Sequence, residues 1–369
     1  MSKKKCLGCG VFLQSVAPER PGYLPPGKEG AEFCQRCYRL RHYGIFKAGP
    51  DDRGTIEQAI GLALAQSDLI LLVADLFDPE GSLPVTWLNL LKLPVLLVVN
   101  KADLLPERTS WNEMTLWFQK LWNRRFPQLD LLGVRVLSAR GKSSDAEKRI
   151  NDLKQELAGK KVTVLGAANV GKTSLLTALL TAEDGKKAAL PTVSRFPGTT
   201  LGYTSWILRA YGLTLYDTPG FLPGARMGDL LSPETAARLL PVKKLQVKLW
   251  NLPPDGAVLG GGLVGFWNRS PADRTLVFFT GEQITLHRSR GQKAEALHEE
   301  GPDWLRLYNR NQRPAPFVEE NFTVEAGEDL YVSGFGWVAV KKETARLRLL
   351  VPSGVEVGTR PSLVGRRDG

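Results

Sequence analysis

The chain has 369 residues, 43% of them hydrophobic, and a formal net charge of +11. That length accommodates two or three domains, and ordinary apolar content excludes a disordered or fibrous class. There is no apolar run on the order of 18 residues, which excludes a membrane-spanning helix, and the positive balance favours a polyanionic partner.

The N-terminus, Met1 to Lys5, leads into Cys6 and Gly8 rather than an apolar signal core, so a cytoplasmic location is expected. Cys6-Leu7-Gly8-Cys9 and Cys34-Gln35-Arg36-Cys37 form two C-x2-C knuckles separated by 24 residues. This pattern reads as a tetrahedral four-cysteine zinc site, with a redox dithiol pair or an iron–sulfur site as alternatives. The spacer carries Pro18, Pro21, Gly22, Pro25, Pro26 and Gly27, so it reads as a loop, and bound metal would supply folding energy to so small a segment. Tyr38-Arg39-Leu40-Arg41-His42-Tyr43 interleaves bases with aromatics, either as an RNA-stacking surface or as the solvated rim of the module.

Leu69 to Asp75 and Pro94 to Val99 are continuous apolar runs, suited to strands buried on both faces of a parallel sheet. The second leads into Asn100-Lys101-Ala102-Asp103, an N-K-x-D sequence at the C-terminal end of a strand, where α/β folds bind ligands. A carboxylate at Asp103 suits the N1–H and 2-amino pair of guanine, which adenine lacks, so it would select GTP over ATP. Asn100 would bond nearby groups, and the Lys101 stem would cover the ring. Trp111, Met114, Trp117, Phe118, Leu121 and Trp122 recur at helical spacing, as core or as a stacking platform. Gly133 to Leu137 reads as a strand ending in Ser138-Ala139-Arg140, whose backbone suits the guanine oxygen. Ala146, Ile150, Leu153 and Leu157 mark one face of a helix capped by Ser143 or Ser144.

Next comes Gly166-Ala167-Ala168-Asn169-Val170-Gly171-Lys172-Thr173, a G-x-x-x-x-G-K-T sequence. It sits between the strand pattern Lys161 to Leu165 and a helix pattern beginning at Ser174, the setting a phosphate-binding P-loop requires. Backbone N–H groups from Gly166 to Ser174 and the helix N-terminus would cradle the phosphates. Lys172 would reach the β- and γ-phosphates, and Thr173 would ligate Mg²⁺. Arg195-Phe196-Pro197-Gly198-Thr199-Thr200 supplies a threonine for Mg²⁺ and the γ-phosphate, with Thr200 favoured by the P-G-x-T pattern. Tyr203–Arg209 and Leu213–Tyr216 read as a hairpin running into Asp217-Thr218-Pro219-Gly220, or D-x-x-G. Asp217 would hold Mg²⁺ through water, and the Gly220 N–H would sense the γ-phosphate.

Residues 225–240 read as one helix or as a pair broken at Pro233. Beyond them lie strand patterns at Lys244–Leu249, Leu263–Trp267, Thr275–Phe279, Gln283–His287, Asp329–Val332, Trp337–Val340 and Ala345–Val351, with a short helix over Lys293–Glu300. From residue 241 onward 18 Lys and Arg face 15 Asp and Glu, a weak nucleic-acid footprint. Arg288, Arg290, Arg306, Arg310 and Arg313 are either a patch or scattered solubilising charge.

Together GAANVGKT, PGTT, DTPG, NKAD and SAR resemble the five guanine-nucleotide motifs of translation-factor-related GTPases. Their order, with N-K-x-D and S-A-R before the P-loop, resembles the circularly permuted GTPases of ribosome assembly. The four-cysteine module and β-rich tail resemble the YqeH type among them. The resemblance implies an α/β fold in three parts: a zinc module over 1–50, a permuted P-loop GTPase domain with a mainly parallel sheet over 51–224, and a β-rich α+β domain over 225–369. It implies GTP hydrolysis, with GTP/GDP and Mg²⁺ (Thr173, Thr200, Asp217) and Zn²⁺ (Cys6, Cys9, Cys34, Cys37) as ligands. The implied partner is the small ribosomal subunit, through rRNA or ribosomal proteins, with the protein working as a monomer away from membranes.

The permutation joins the old termini through Asn151–Lys160 and leads the γ-phosphate-sensing segment into the C-terminal domain, so nucleotide state is expected to set that domain's orientation. Phe221 follows Gly220 where many GTPases carry a water-orienting glutamine, which implies slow intrinsic turnover. Asn169 matches the asparagine that ligates K⁺ in related GTPases, so K⁺ stimulation is expected. Arg140 replaces the usual lysine of S-A-K. The other reading is a nucleotide-gated RNA-binding scaffold in which hydrolysis is incidental. A zinc-dependent redox or hydrolytic enzyme is disfavoured by the 3 His and the absence of a spare cysteine.

Overall fold

The computed structural model describes residues 52–88, 91–106, 109–181, 203–314 and 316–365, together with residues 4, 6, 12–16, 22–28, 30–32, 34 and 35. Cys9, Cys37, the Tyr38–Tyr43 stretch and Thr199 and Thr200 lie outside the described residues. Contacts along the chain define two compact units. One comprises Met1–Val73, Leu93–Leu96 and Asn151–Leu222, and the other comprises Ala74–Lys92, Leu97–Ile150 and Pro223–Gly369. No described helix is long and apolar enough to cross a membrane.

Helix α1 (Asp52–Leu64) buries Ile56, Ala59, Ile60 and Ala63, the spacing of a one-faced helix. Strand β1 (Leu69–Asp75) is buried at every position, as is β2 (Val95–Asn100), which follows the one-turn helices α2 (Pro79–Ser82) and α3 (Val85–Leu88). Helix α4 (Trp111–Arg125) begins at Ser110, whose hydroxyl accepts the Glu113 N–H. Its Met114, Trp117, Phe118, Leu121 and Trp122 are all buried and Trp111 is half-buried, so the aromatic stripe is core from Met114 onward. Strand β3 (Leu131–Val136) is followed by helix α5 (Ser144–Glu156), capped by Ser143 through the Ala146 N–H at 3.2 Å. The helix runs past Asn151. The junction expected over Asn151–Lys160 is therefore helical in its first half, and only four residues turn into β4 (Lys161–Leu165).

After β4 come helix α6 (Lys172–Leu180) and the strands β5 (Thr204–Leu208) and β6 (Leu213–Asp217). These two form the expected hairpin, its turn closed by a 3-10 stretch Arg209–Tyr211 and by Gly212 at φ +60°. Strand order is β3-β2-β1-β4-β6-β5. β1 with β4 and β4 with β6 are parallel, and β5 pairs antiparallel with β6, with Thr204 opposite Asp217. A mostly parallel sheet buried on both faces is what the continuous apolar runs predict.

Past a 3-10 turn at Met227–Asp229 and helix α7 (Pro233–Leu239), the pair broken at Pro233, the chain becomes β-rich. Strands β7 (Gln246–Leu252), β8 (Gly256–Gly260), β9 (Val264–Asn268), β10 (Arg274–Thr280) and β11 (Leu286–Arg290) precede helix α8 (Gly291–Glu300). Strands β12 (Phe317–Val324), β13 (Glu328–Val332), β14 (Gly336–Val340), β15 (Ala345–Pro352) and β16 (Val357–Pro361) follow. They form two five-stranded sheets, β16-β13-β14-β10-β7 and β11-β8-β9-β15-β12. Their facing residues share one core that includes Phe266, Phe278, Leu330, Val338, Leu347 and Leu349.

Three strands escape the sequence reading. β8 is five residues with glycine at both ends, β12 carries adjacent glutamates, and β16 ends in a proline tolerated because that strand is an edge. The strand expected over Gln283–His287 instead runs as β11, Leu286–Arg290, because Ile284 closes a turn on Gly281.

Candidate nucleotide site

The P-loop follows β4 without a break. Gly166 lies against β1, so that a Cβ there would come within 2.5 Å of the Val73 carbonyl oxygen. Asn169 and Gly171 take left-handed conformations at φ +68° and +95°, which turn the loop into α6. Val170 is fully buried beneath the loop, whereas Thr173 is exposed and Ser174 half-buried. The Lys172 ammonium is buried and donates to the carbonyl oxygens of Gly166 at 2.7 Å and Ala167 at 3.0 Å. Parallel pairing of β4 with β6 sets Asp217 beside Val164. Burial pushes the Asp217 carboxyl up to about 6, and the Lys172 charge acts against that rise. Thr218 fastens the strand end by donating its hydroxyl to the Val164 carbonyl at 2.8 Å.

Phe221 is fully buried, and its carbonyl accepts the Ala168 N–H at 2.9 Å. The residue that stands where other GTPases place glutamine therefore packs under the P-loop and ties D-x-x-G to it. Gly220 is equally constrained, since a Cβ there would lie 2.8 Å from the Lys172 Nζ and 3.0 Å from the Ala168 Cα. A buried cation, a carboxylate and a glycine-opened loop at a helix N-terminus suit a polyphosphate with a divalent cation.

The N-K-x-D and S-A-R loops form a single cluster in the other unit. The Asn100 carboxamide oxygen accepts the N–H of Lys101 at 2.8 Å and of Ala139 at 3.0 Å. Within the Ser138-Ala139-Arg140 backbone, expected to suit a guanine oxygen, the Ala139 N–H is thus engaged by Asn100. Ser138 donates its hydroxyl to Asp103, and the Ala102 N–H reaches the Leu137 carbonyl at 3.1 Å. Lys101 takes a left-handed conformation at φ +69°, and its ammonium pairs with Asp75. Arg140 is exposed.

Of the four cysteines, Cys6 and Cys34 are described. Both are buried, and the Cys34 N–H lies 3.2 Å from the Cys6 Sγ. A backbone N–H aimed at a cysteine sulfur is the support a metal thiolate needs, so the first cysteines of the two knuckles fit the proposed group. No cluster of three potential metal ligands exists among the described residues.

Sequence reasoning missed the segment that runs from the end of β1 into α2. Asp75, Asp78 and Glu80 are buried there, with Ser333, Arg226 and Arg360 around them. Burial pushes the Asp78 carboxyl up to about 7. The available signal was a run of three acids within six residues directly after an apolar strand.

A family model described as "YqeH-like, C-terminal" matches residues 273–363, and one described as "50S ribosome-binding GTPase" matches residues 161–249. YqeH of Bacillus subtilis (strain 168) is 30% identical over 379 residues, covering 99% of this chain and 100% of that protein. The chain is also similar to NO-associated protein 1, chloroplastic/mitochondrial, of Arabidopsis thaliana, at 24% identity over 97% of this chain and 76% of that protein. It is similar to the small ribosomal subunit biogenesis GTPase RsgA of Hahella chejuensis, at 29% identity over 48% of this chain and 53% of that protein. With N-K-x-D and S-A-R ahead of the P-loop and a relative matched from end to end, the chain is a circularly permuted GTPase and belongs to the YqeH family.

Proposed function

We propose that this GTPase is a nucleotide switch in assembly of the small ribosomal subunit. The observation that carries nucleotide binding is Lys172, a buried ammonium resting on two P-loop carbonyls beside the half-buried Asp217. That arrangement favours an incoming polyphosphate, which gives the cation a stronger partner. Lys172 binds the β- and γ-phosphates, with the loop from Gly166 to Ser174 supplying N–H donors. Thr173, Thr200 and Asp217 hold Mg²⁺, which neutralises phosphate charge. Asp103, positioned by Ser138, accepts from the guanine edge, and Asn100 holds the two base loops together.

Cys6, Cys9, Cys34 and Cys37 hold Zn²⁺ as a structural ion. The buried Phe221 supports slow intrinsic hydrolysis, since it orients no water. K⁺ held at Asn169 would stabilise developing charge, so hydrolysis is expected to be faster in K⁺ than in equal Na⁺; equal rates would remove the K⁺ site.

The small-subunit assignment draws on the similarity to RsgA, whereas the matched GTPase model carries a 50S description. Sedimentation with purified subunits in GTP analogue, GDP or no nucleotide decides between them. Analogue-dependent association with the small subunit is expected. Association only with the large subunit, or with neither, withdraws the assignment and leaves the GTPase standing. The placement of Phe221 also favours a second reading, a nucleotide-gated RNA-binding scaffold. A variant that binds GTP without hydrolysing it, and still supports assembly through repeated cycles, would favour the scaffold.

A further inference from the structure

The Lys101 ammonium does not hang free at the end of its flexible stem. It forms an ion pair with Asp75, whose side chain is 8% exposed. Asp75 is itself held by two further hydrogen bonds. Its Oδ1 accepts the Phe77 N–H at 3.0 Å, and its own N–H donates to the Ser82 Oγ at 3.0 Å. The Leu76 N–H next to it donates to the Asn100 carbonyl at 3.1 Å, which ties this loop directly to N-K-x-D.

The loop has a foundation further on. Ser82 donates its hydroxyl to the Asp78 carbonyl at 2.7 Å. The Asp78 carboxylate accepts the Gly81 N–H at 3.3 Å and the Ser333 hydroxyl at 3.0 and 3.2 Å. Glu80 pairs with Arg360, which is 1% exposed. There is no room for adjustment at the centre, because a Cβ on Gly81 would come within 2.2 Å of the Ser333 Oγ. Side chains fixed by their own partners are what hold a binding group in one geometry.

We propose that Asp75 is a positioning residue for base recognition: it fixes the Lys101 ammonium so that the lysine stem lies in one direction, ready to cover the guanine ring. A free lysine stem samples many rotamers and loses that freedom on binding. The Asp75 pair removes that freedom beforehand, and pre-organisation raises affinity without adding a contact to the ligand. This rests on the reading of Asn100–Asp103 as the guanine site, and the phosphate-binding loop takes no part in it.

The test compares GDP with inorganic pyrophosphate, which occupies the phosphate loop alone, by calorimetry on the full chain. Preference of the wild-type protein for GDP over ADP tests the guanine reading separately. Given that preference, Asp75→Asn is expected to weaken GDP about tenfold, the usual worth of a charge-assisted bond, and to leave pyrophosphate within about twofold. In Asp75→Asn/Lys101→Met, GDP binding should be no weaker than in Lys101→Met alone, because Asp75 acts only through Lys101. Additive losses in that cycle, equal losses for GDP and pyrophosphate, or an unchanged GDP affinity would each overturn the proposal. If Asp75→Asn does not fold, Ser82→Ala, which removes the acceptor of the Asp75 N–H, decides it. About threefold weaker GDP with unchanged pyrophosphate is then expected, and no change overturns it.

Discussion

Ser333 donates its hydroxyl to both carboxylate oxygens of Asp78, at 3.0 and 3.2 Å, although the two residues are 255 positions apart in the chain. Asp78 is buried. Burial is the main reason its carboxyl is pushed up to about 7, helped by Asp75 and Glu80 and opposed by Arg226 and the Ser333 bond. A carboxyl raised in the folded state contributes stability that is fully present below its unfolded value near 3.8 and lost as pH rises to about 7. Asp78→Asn keeps an acceptor for Ser333 and removes the charge. It should therefore match or exceed the wild type at pH 8, by on the order of 1–3 kcal/mol, and lose that advantage at pH 5. Urea unfolding at the two pH values measures this, and a variant weaker at pH 8 than at pH 5 would show that Arg226 dominates.

His298 should act with the opposite sign. It is 1% exposed, neither ring nitrogen has a partner among the described residues, and its ring meets Phe317 edge-on at 4.9 Å. Burial lowers it to about 4, with Arg313, Arg306 and Arg348 adding repulsion. The neutral ring is thus favoured, its stability present above pH 6.5 and lost as pH falls toward 4. Replacing it with leucine should flatten that acid loss, worth on the order of 3 kcal/mol, in melts between pH 7 and 4.

Gly166→Ala and Lys172→Ala should separate folding from binding. The new methyl at Gly166 meets the Val73 carbonyl at 2.5 Å, so the P-loop must shift. Loss of GDP binding and about 2 kcal/mol of destabilisation are expected. Lys172→Ala removes a buried charge without adding bulk. It should lose GDP binding while its nucleotide-free thermal midpoint stays within about 3 °C of the wild type.

The paired Cys6 and Cys34 predict one Zn²⁺ per chain by elemental analysis. Cys6→Ser should lose it and expose the N-terminal module to protease, with GDP affinity unchanged. Retention of full zinc would indicate that Cys6 is a packing residue beside Cys34.

Local chemistry made most of the candidate site legible. A P-loop needs its glycines, lysine and threonine within eight consecutive residues, and the carboxamide of Asn100 needs only its neighbours and one returning strand. The apolar runs at Leu69–Asp75 and Val95–Asn100 likewise carry their burial in their composition. What escaped is the set of buried charges whose partners are distant in sequence. Nothing in the chain around Glu80 points to Arg360, and nothing around Asp78 points to Ser333.

The sequence by itself determined the motifs: the P-loop, the N-K-x-D carboxylate, the permuted order of motifs and the two cysteine pairs. Each is a short segment whose residue types must stand at fixed spacing to do their work. Tertiary structure alone decided that Phe221 packs beneath the P-loop, that Ala139 serves Asn100, and that Asp75 holds Lys101. Those outcomes depend on which distant groups share a low-dielectric interior. There an unpaired charge or unmet hydrogen bond costs far more than in water, so partner choice is settled only when the chain closes around it.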